Sequence, residues 1–155
     1  PELFEGGKTP QQMVQNIDIG PTVLAEAGVK QPENMPGVSF IPILTGNSEV
    51  ASRKEIFYEY YWEYDFPMTP TVFGMRSDQY KYIKYHGIWD RNELYDLKND
   101  PEEMYNLIAD PDKQKIAKSM SAAIYDWLEA TNGMNIPLKR TVKYRFGDFK
   151  HKNEH

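Results

Sequence analysis

Apolar and polar positions follow a period of two between residues 55 and 97 and a helical period beyond residue 110. From Glu55 to Phe66 the alternation is strict. Ile56, Tyr58, Tyr60, Trp62, Tyr64 and Phe66 share one face, and Phe57, Glu59, Tyr61, Glu63 and Asp65 share the other. The first face is wholly apolar or aromatic, so it is expected to pack on something large, and Pro67 and Pro70 end the strand. Residues 72–76 and 80–85 predict a hairpin around Ser77-Asp78-Gln79, and residues 93–97 a fourth strand. Asn99-Asp100-Pro101 then predicts a helix start, with Asp100 as N-cap, Pro101 at the first helical position and Glu102 and Glu103 in the first turn.

After Asp110-Pro111, the residues Ile116, Met120, Ala123, Ile124, Trp127 and Leu128 recur at helical spacing as one apolar stripe, which Asn132-Gly133 closes. The expected class is α+β: a small antiparallel four-stranded sheet packed by a long C-terminal helix, which covers the aromatic face. Nearer the start, residues 17–28 predict a short helix with Asp18 as N-cap, Pro21 in the first turn and Gly28 as its stop. Residues 1–13 and 30–53 read as loops, and the tail from Lys139 is basic.

Composition narrows the function classes only a little. The 155 residues are 40% hydrophobic and 26% charged, enough for a core. A net charge of −5 argues against nucleic acid as a partner, because phosphate neutralisation needs a basic face. No apolar run approaches the roughly 20 residues of a membrane span, so no membrane partner is expected. The chain has no cysteine, which removes disulfide and thiol chemistry.

Four segments in register carry more. Glu93-Leu94-Tyr95-Asp96-Leu97-Lys98-Asn99-Asp100-Pro101-Glu102-Glu103-Met104-Tyr105-Asn106-Leu107 resembles the ELYDL-x-x-DP-x-E-x-x-NL segment near the C-terminus of type I, formylglycine-dependent sulfatases. Val14 to Leu24, with Asp18, Pro21 and Thr22, is similar to another segment of that family. So are Met35 to Gly46, with Gly37, Ser39 and Pro42, and Phe73 to Ile83, with Gly74, Arg76 and Tyr80-Lys81-Tyr82.

The resemblance implies a division into residues 1–46, the tail end of an alkaline-phosphatase-like α/β domain with its linking loop; 47–135, the C-terminal α+β subdomain; and 136–155, a basic tail. It also implies a calcium ion and a formylglycine in the intact enzyme. The formylglycine arises within C/S-x-P/A-x-R, and none of Ser39, Ser48, Ser52, Ser77, Ser119 and Ser121 opens such a motif. The chain is therefore expected to hold neither cofactor and to be inert alone. Its implied partners are an N-terminal sulfatase domain and a sulfated glycan, its implied address periplasmic, extracellular or lysosomal. The alternative is a stand-alone, non-catalytic module for anionic glycans. The helix at 14–28 discriminates, since without a covering sheet its apolar residues invite self-association.

Four residues are candidates for substrate contact, and none for catalysis or metal binding. His86 sits in a loop after a strand, beside Gly87 and near Trp89, whose ring offers a sugar-stacking surface. The bland reading of His86 is a loop histidine with no role. Arg76 offers a guanidinium fork to a sulfate, or else pairs with Glu59, Glu63 or Asp65 across the sheet. Tyr61, on the acidic strand face, is the aromatic least easily assigned to packing. Glu59, Glu63 and Asp65 are too spread along one strand to converge on an ion. Where many related sulfatases carry a substrate-touching His, this chain has Val72.

Overall fold

The structure is a computed structural model that describes residues 6–7, 9–46, 53–63, 69–87 and 91–135. It divides between Ile56 and Phe57 into two compact units.

In the first unit a 3-10 turn, Asn16–Asp18, leads into helix α1, Ile19–Glu26, and a short helix α2, Ile41–Leu44, follows. The start and stop of α1 follow the sequence logic: Pro21 is buried in the first turn, and Gly28 adopts φ 68 just past the end. Asp18 does not act as a capping side chain for α1. Its carboxylate is turned to other donors, described below. Helix α2 interrupts the stretch expected to be loop; Pro42, in its first turn, is compatible with helix there because the amide it lacks has no intrahelical acceptor.

The second unit is built on a four-stranded antiparallel sheet in the order β1-β2-β3-β4. The strands are β1 Glu55–Tyr60, β2 Thr71–Ser77, β3 Tyr80–His86 and β4 Glu93–Asp96. In register, Thr71 faces His86, Met75 faces Tyr82 and Arg76 faces Lys81, while Tyr82 faces Leu94 and Tyr80 faces Asp96. Helix α3, Gln114–Ala130, supplies the second layer. Its Ala117, Met120, Ile124 and Leu128 close on Phe73, Met75, Tyr82 and Leu94 to form the core, with Leu94 and Ile124 fully buried.

Two expectations need correction. The helix covers the other face of β1. Phe57 stacks on Trp127 with centroids 5.1 Å apart and planes 8° apart, and Tyr61 meets Phe73 edge-on at 5.9 Å. Tyr58, on the face expected to pack, is 57% exposed. The period of two is right, but both faces carry aromatic rings, so counting them does not decide which face turns inward. The second correction is the segment after β4, which forms turns instead of a helix. Asp100 still accepts amides, from Met104 at 3.0 Å and Tyr105 at 2.8 Å, but Glu103 adopts φ 55 and diverts the backbone. A 3-10 turn at Leu107–Ala109 follows, capped by Asn106.

Candidate functional site

Strand order and register bring two connections to one end of the sheet. The β1–β2 connection ends at Thr71, and the β3–β4 connection begins after His86, directly opposite Thr71. Thr71 is buried, and its hydroxyl oxygen accepts the Trp62 amide at 3.1 Å, tying the first connection down. Asn92 ties the second, accepting the Tyr85 amide at 3.1 Å, and its own carbonyl takes a hydrogen bond from Asn106. Tyr60 donates to Glu63 at 3.1 Å beside the same end. Asn92 and Thr71 were not singled out from sequence; a short polar side chain at each strand end is the signal that marks such ties.

The four candidate residues do not converge. His86 stands at this end, exposed, on the helix side of the sheet. Trp89 lies outside the described residues, as do Asp65 and the basic tail. Tyr61 is half-buried on the helix side. Its hydroxyl shares one proton between two acceptors, Glu59 at 2.8 Å and the Gly133 carbonyl at 2.5 Å, and its ring packs against the core. Burial, and then the Glu59 carboxylate, push its phenol up to about 12. Arg76 lies at the far end of β2 on the opposite face, five residues from Thr71, a span of roughly 17 Å at strand spacing. It is exposed and has no ion pair among the described residues; Lys81, opposite it, pairs with Glu103 instead.

That opposite face holds a polar network. Glu93 accepts the hydroxyls of Tyr85 at 2.8 Å and Tyr95 at 2.7 Å, and the Tyr95 phenol is pushed up to about 12 chiefly by its bond to that carboxylate. Lys81 lies 5.8 Å from the Tyr95 ring centroid. In the first unit, Thr22, Val23, Glu26, Ala27, Ile41 and Leu44 line an open, mostly apolar groove of about 380 Å³. Ile19 and Val23 are more than half exposed nearby.

Residues 1–130 match the family described as N-sulphoglucosamine sulphohydrolase, C-terminal. The chain belongs to the sulfatase family, as part of its C-terminal region. It is 28% identical over 150 residues to an N-acetylglucosamine-6-O-sulfatase of Bacteroides thetaiotaomicron, a match covering 94% of this chain and 26% of that sulfatase. An ulvan-active sulfatase of Formosa agariphila is 29% identical over 84% of the chain and 32% of its own length. A solved structure of a protein in complex with its substrate D-glucosamine-2-N,6-O-disulfate superposes with a TM-score of 0.75 and 27% identity, over 88% of this chain and 28% of that one. A phosphonate monoester hydrolase of Agrobacterium radiobacter shares the fold, with a TM-score of 0.59 at 23% identity over 74% of this chain and 24% of that one. The chain thus spans from 24% to 32% of the length of these proteins.

Within this sulfatase region, the residues that carry the family resemblance act as structural ties. Asp18 holds Arg53 and the Val38 amide; the Thr22 hydroxyl donates to the Asp18 carbonyl and accepts the Phe40 amide. Asp96, buried, accepts Asn99 and Gln79 side chains and the Lys98 amide. Burial alone raises its carboxyl, but these donors outweigh it and leave it lowered. Asn106 accepts the Leu94 amide. Among the described residues no three His, Cys, Asp or Glu side chains come together as a metal site, and the sequence lacks a formylglycine motif. The described residues therefore offer no carboxylate cluster for calcium.

Proposed function

We propose that this chain serves as the C-terminal region of a sulfuric ester hydrolase acting on sulfated carbohydrate, completing its fold and forming one rim of the substrate cleft. The match of residues 1–130 to the sulfatase C-terminal family carries the reading. Relatives named for N-acetylglucosamine-6-O-sulfate, hexuronate-2-O-sulfate and ulvan support carbohydrate as the substrate class. In such an enzyme the N-terminal sulfatase domain would hold the formylglycine and the calcium ion, which would supply the chemistry on the sulfate ester. The groove on α1 and α2 is the surface that this domain covers, which disfavours a free-standing glycan-binding module.

The rim is the sheet end where the Thr71 and His86 connections meet. His86 there donates to or accepts from a sugar hydroxyl or sulfate oxygen, and Trp89 stacks on the ring. Arg76 and Tyr61 contribute differently. Arg76 contacts a more distant part of a longer glycan, and Tyr61 supports the rim from beneath.

The test is sulfate release from 6-sulfated N-acetylglucosamine and from sulfated oligosaccharide, by the 155-residue chain alone and by a complete sulfatase carrying it. The chain alone releases none, and the complete enzyme does so with a KM that rises on His86→Ala. Metal-dependent release by the chain alone overturns the proposal.

A further inference from the structure

Asn132 and Gly133 close α3. Asn132 adopts φ 59, a conformation open to glycine and asparagine and strained for most others. Gly133 is buried, and a Cβ there would lie 2.6 Å from Leu128 Cδ2, 2.9 Å from Glu59 Oε2 and 3.0 Å from the Tyr61 hydroxyl. The left-handed turn at 132 and the side-chain tips crowding 133 favour Asn-Gly, which occurs once in the sequence. Asn-Gly is also the peptide pair whose backbone most readily attacks its own side chain, because glycine leaves the amide nitrogen unshielded.

The fold restrains that attack. The Gly133 amide donates to the Leu128 carbonyl at 2.8 Å, and the Gly133 carbonyl accepts the Tyr61 hydroxyl at 2.5 Å. An amide held this way must first leave its acceptor before it can lose its proton and act as a nucleophile. Asn132 itself is exposed, so water reaches its carboxamide.

We propose that Asn132 is a self-modification site, held in check by the clasp of Tyr61 and Leu128 on Gly133. When the last turn of α3 opens, the Gly133 nitrogen bonds to the Asn132 side-chain carbonyl carbon. The bond from that carbon to Nδ2 breaks, and ammonia leaves. Water then opens the cyclic imide at one of its two carbonyls, giving aspartate or its isomer linked through the side chain. Either product places a carboxylate at the C-terminal end of a helix, where the macrodipole opposes negative charge. The isomer also lengthens the backbone by one carbon within a tightly packed cap. The reaction thus loosens the cap that restrained it and favours further opening of the α3 terminus.

The test follows the peptide spanning Asn132 by mass spectrometry during incubation of the full chain at mildly alkaline pH. The folded wild type, the same chain in denaturant, Tyr61→Phe and Asn132→Gly are compared, with Gly133 amide hydrogen exchange measured in the folded samples. Folded wild type should react many-fold slower than the denatured chain, and Tyr61→Phe should react several-fold faster than wild type in step with faster Gly133 exchange. Asn132→Gly should not react. Equal rates in folded and denatured wild type overturn the proposal, as does a folded Tyr61→Phe that exchanges faster at Gly133 without reacting faster. If Tyr61→Phe unfolds, the ratio for wild type alone decides.

Discussion

Both oxygens of the Asp18 carboxylate receive the guanidinium of Arg53, Nη1 on Oδ2 at 2.6 Å and Nη2 on Oδ1 at 2.9 Å. Asp18 is 2% exposed and also accepts the amides of Gln15 at 2.7 Å and Val38 at 2.9 Å. One side chain therefore joins the entry to α1, the Gly37-Val38 strap and residue 53. Gly37 makes the strap fit, since a Cβ there would sit 2.3 Å from the Ile17 carbonyl oxygen and its φ is 99.

The Arg53 hydrogen bond is the largest cause holding the Asp18 carboxyl at about 2, below its ordinary 3.8, against a burial that raises it. A carboxyl depressed on folding stabilises the protein above its unfolded value and loses that contribution as pH falls through the folded one. The first unit should lose about 2 kcal/mol between about pH 4 and pH 2 from this group. Asp18→Asn should cost about 3 kcal/mol at neutral pH, because it leaves Arg53 without its partner, and should flatten that acid dependence. Denaturant melts of both proteins across this pH range check the slope and the offset.

Lys81 and Glu103 also form an ion pair, yet both are about one-third exposed. Removing it with Lys81→Met should cost less than about 1 kcal/mol. Leu94→Ala, at a fully buried position between Tyr82 and α3, should cost about 3 kcal/mol. Urea melts that rank these two variants the other way contradict the assignment of the core.

His86→Ala removes an exposed side chain, so chain stability should change by less than about 0.5 kcal/mol. Its effect should appear in a complete sulfatase as a raised KM for glycan substrate. Steady-state kinetics together with a thermal melt separate the two readouts. An unchanged KM returns His86 to the bland reading of an idle loop residue.

Much of the fold was legible because its elements have strong local signals. The hairpin around Ser77-Asp78-Gln79, the stripe from Ile116 to Leu128 and the stop at Asn132-Gly133 all appear where the pattern puts them. The inward face of β1 was not legible, because Phe57 and Tyr61 compete with Tyr58 and Tyr60 and only the docking of Trp127 on Phe57 decides. Asp100-Pro101 signals a helix, but the tertiary pair between Lys81 and Glu103, with Glu103 in a left-handed conformation, accompanies a turn instead. At the candidate site, single residues could be nominated but not their separation. That Arg76 and His86 sit at opposite ends and on opposite faces follows from pairing between strands, which no single segment encodes.

The most direct measurement is peptide mapping by mass spectrometry of the protein made from its native gene. A peptide N-terminal to Pro1 that carries C/S-x-P/A-x-R, with the mass change of formylglycine, is the expected result. A native product that begins at or near Pro1 and lacks such a peptide would contradict it.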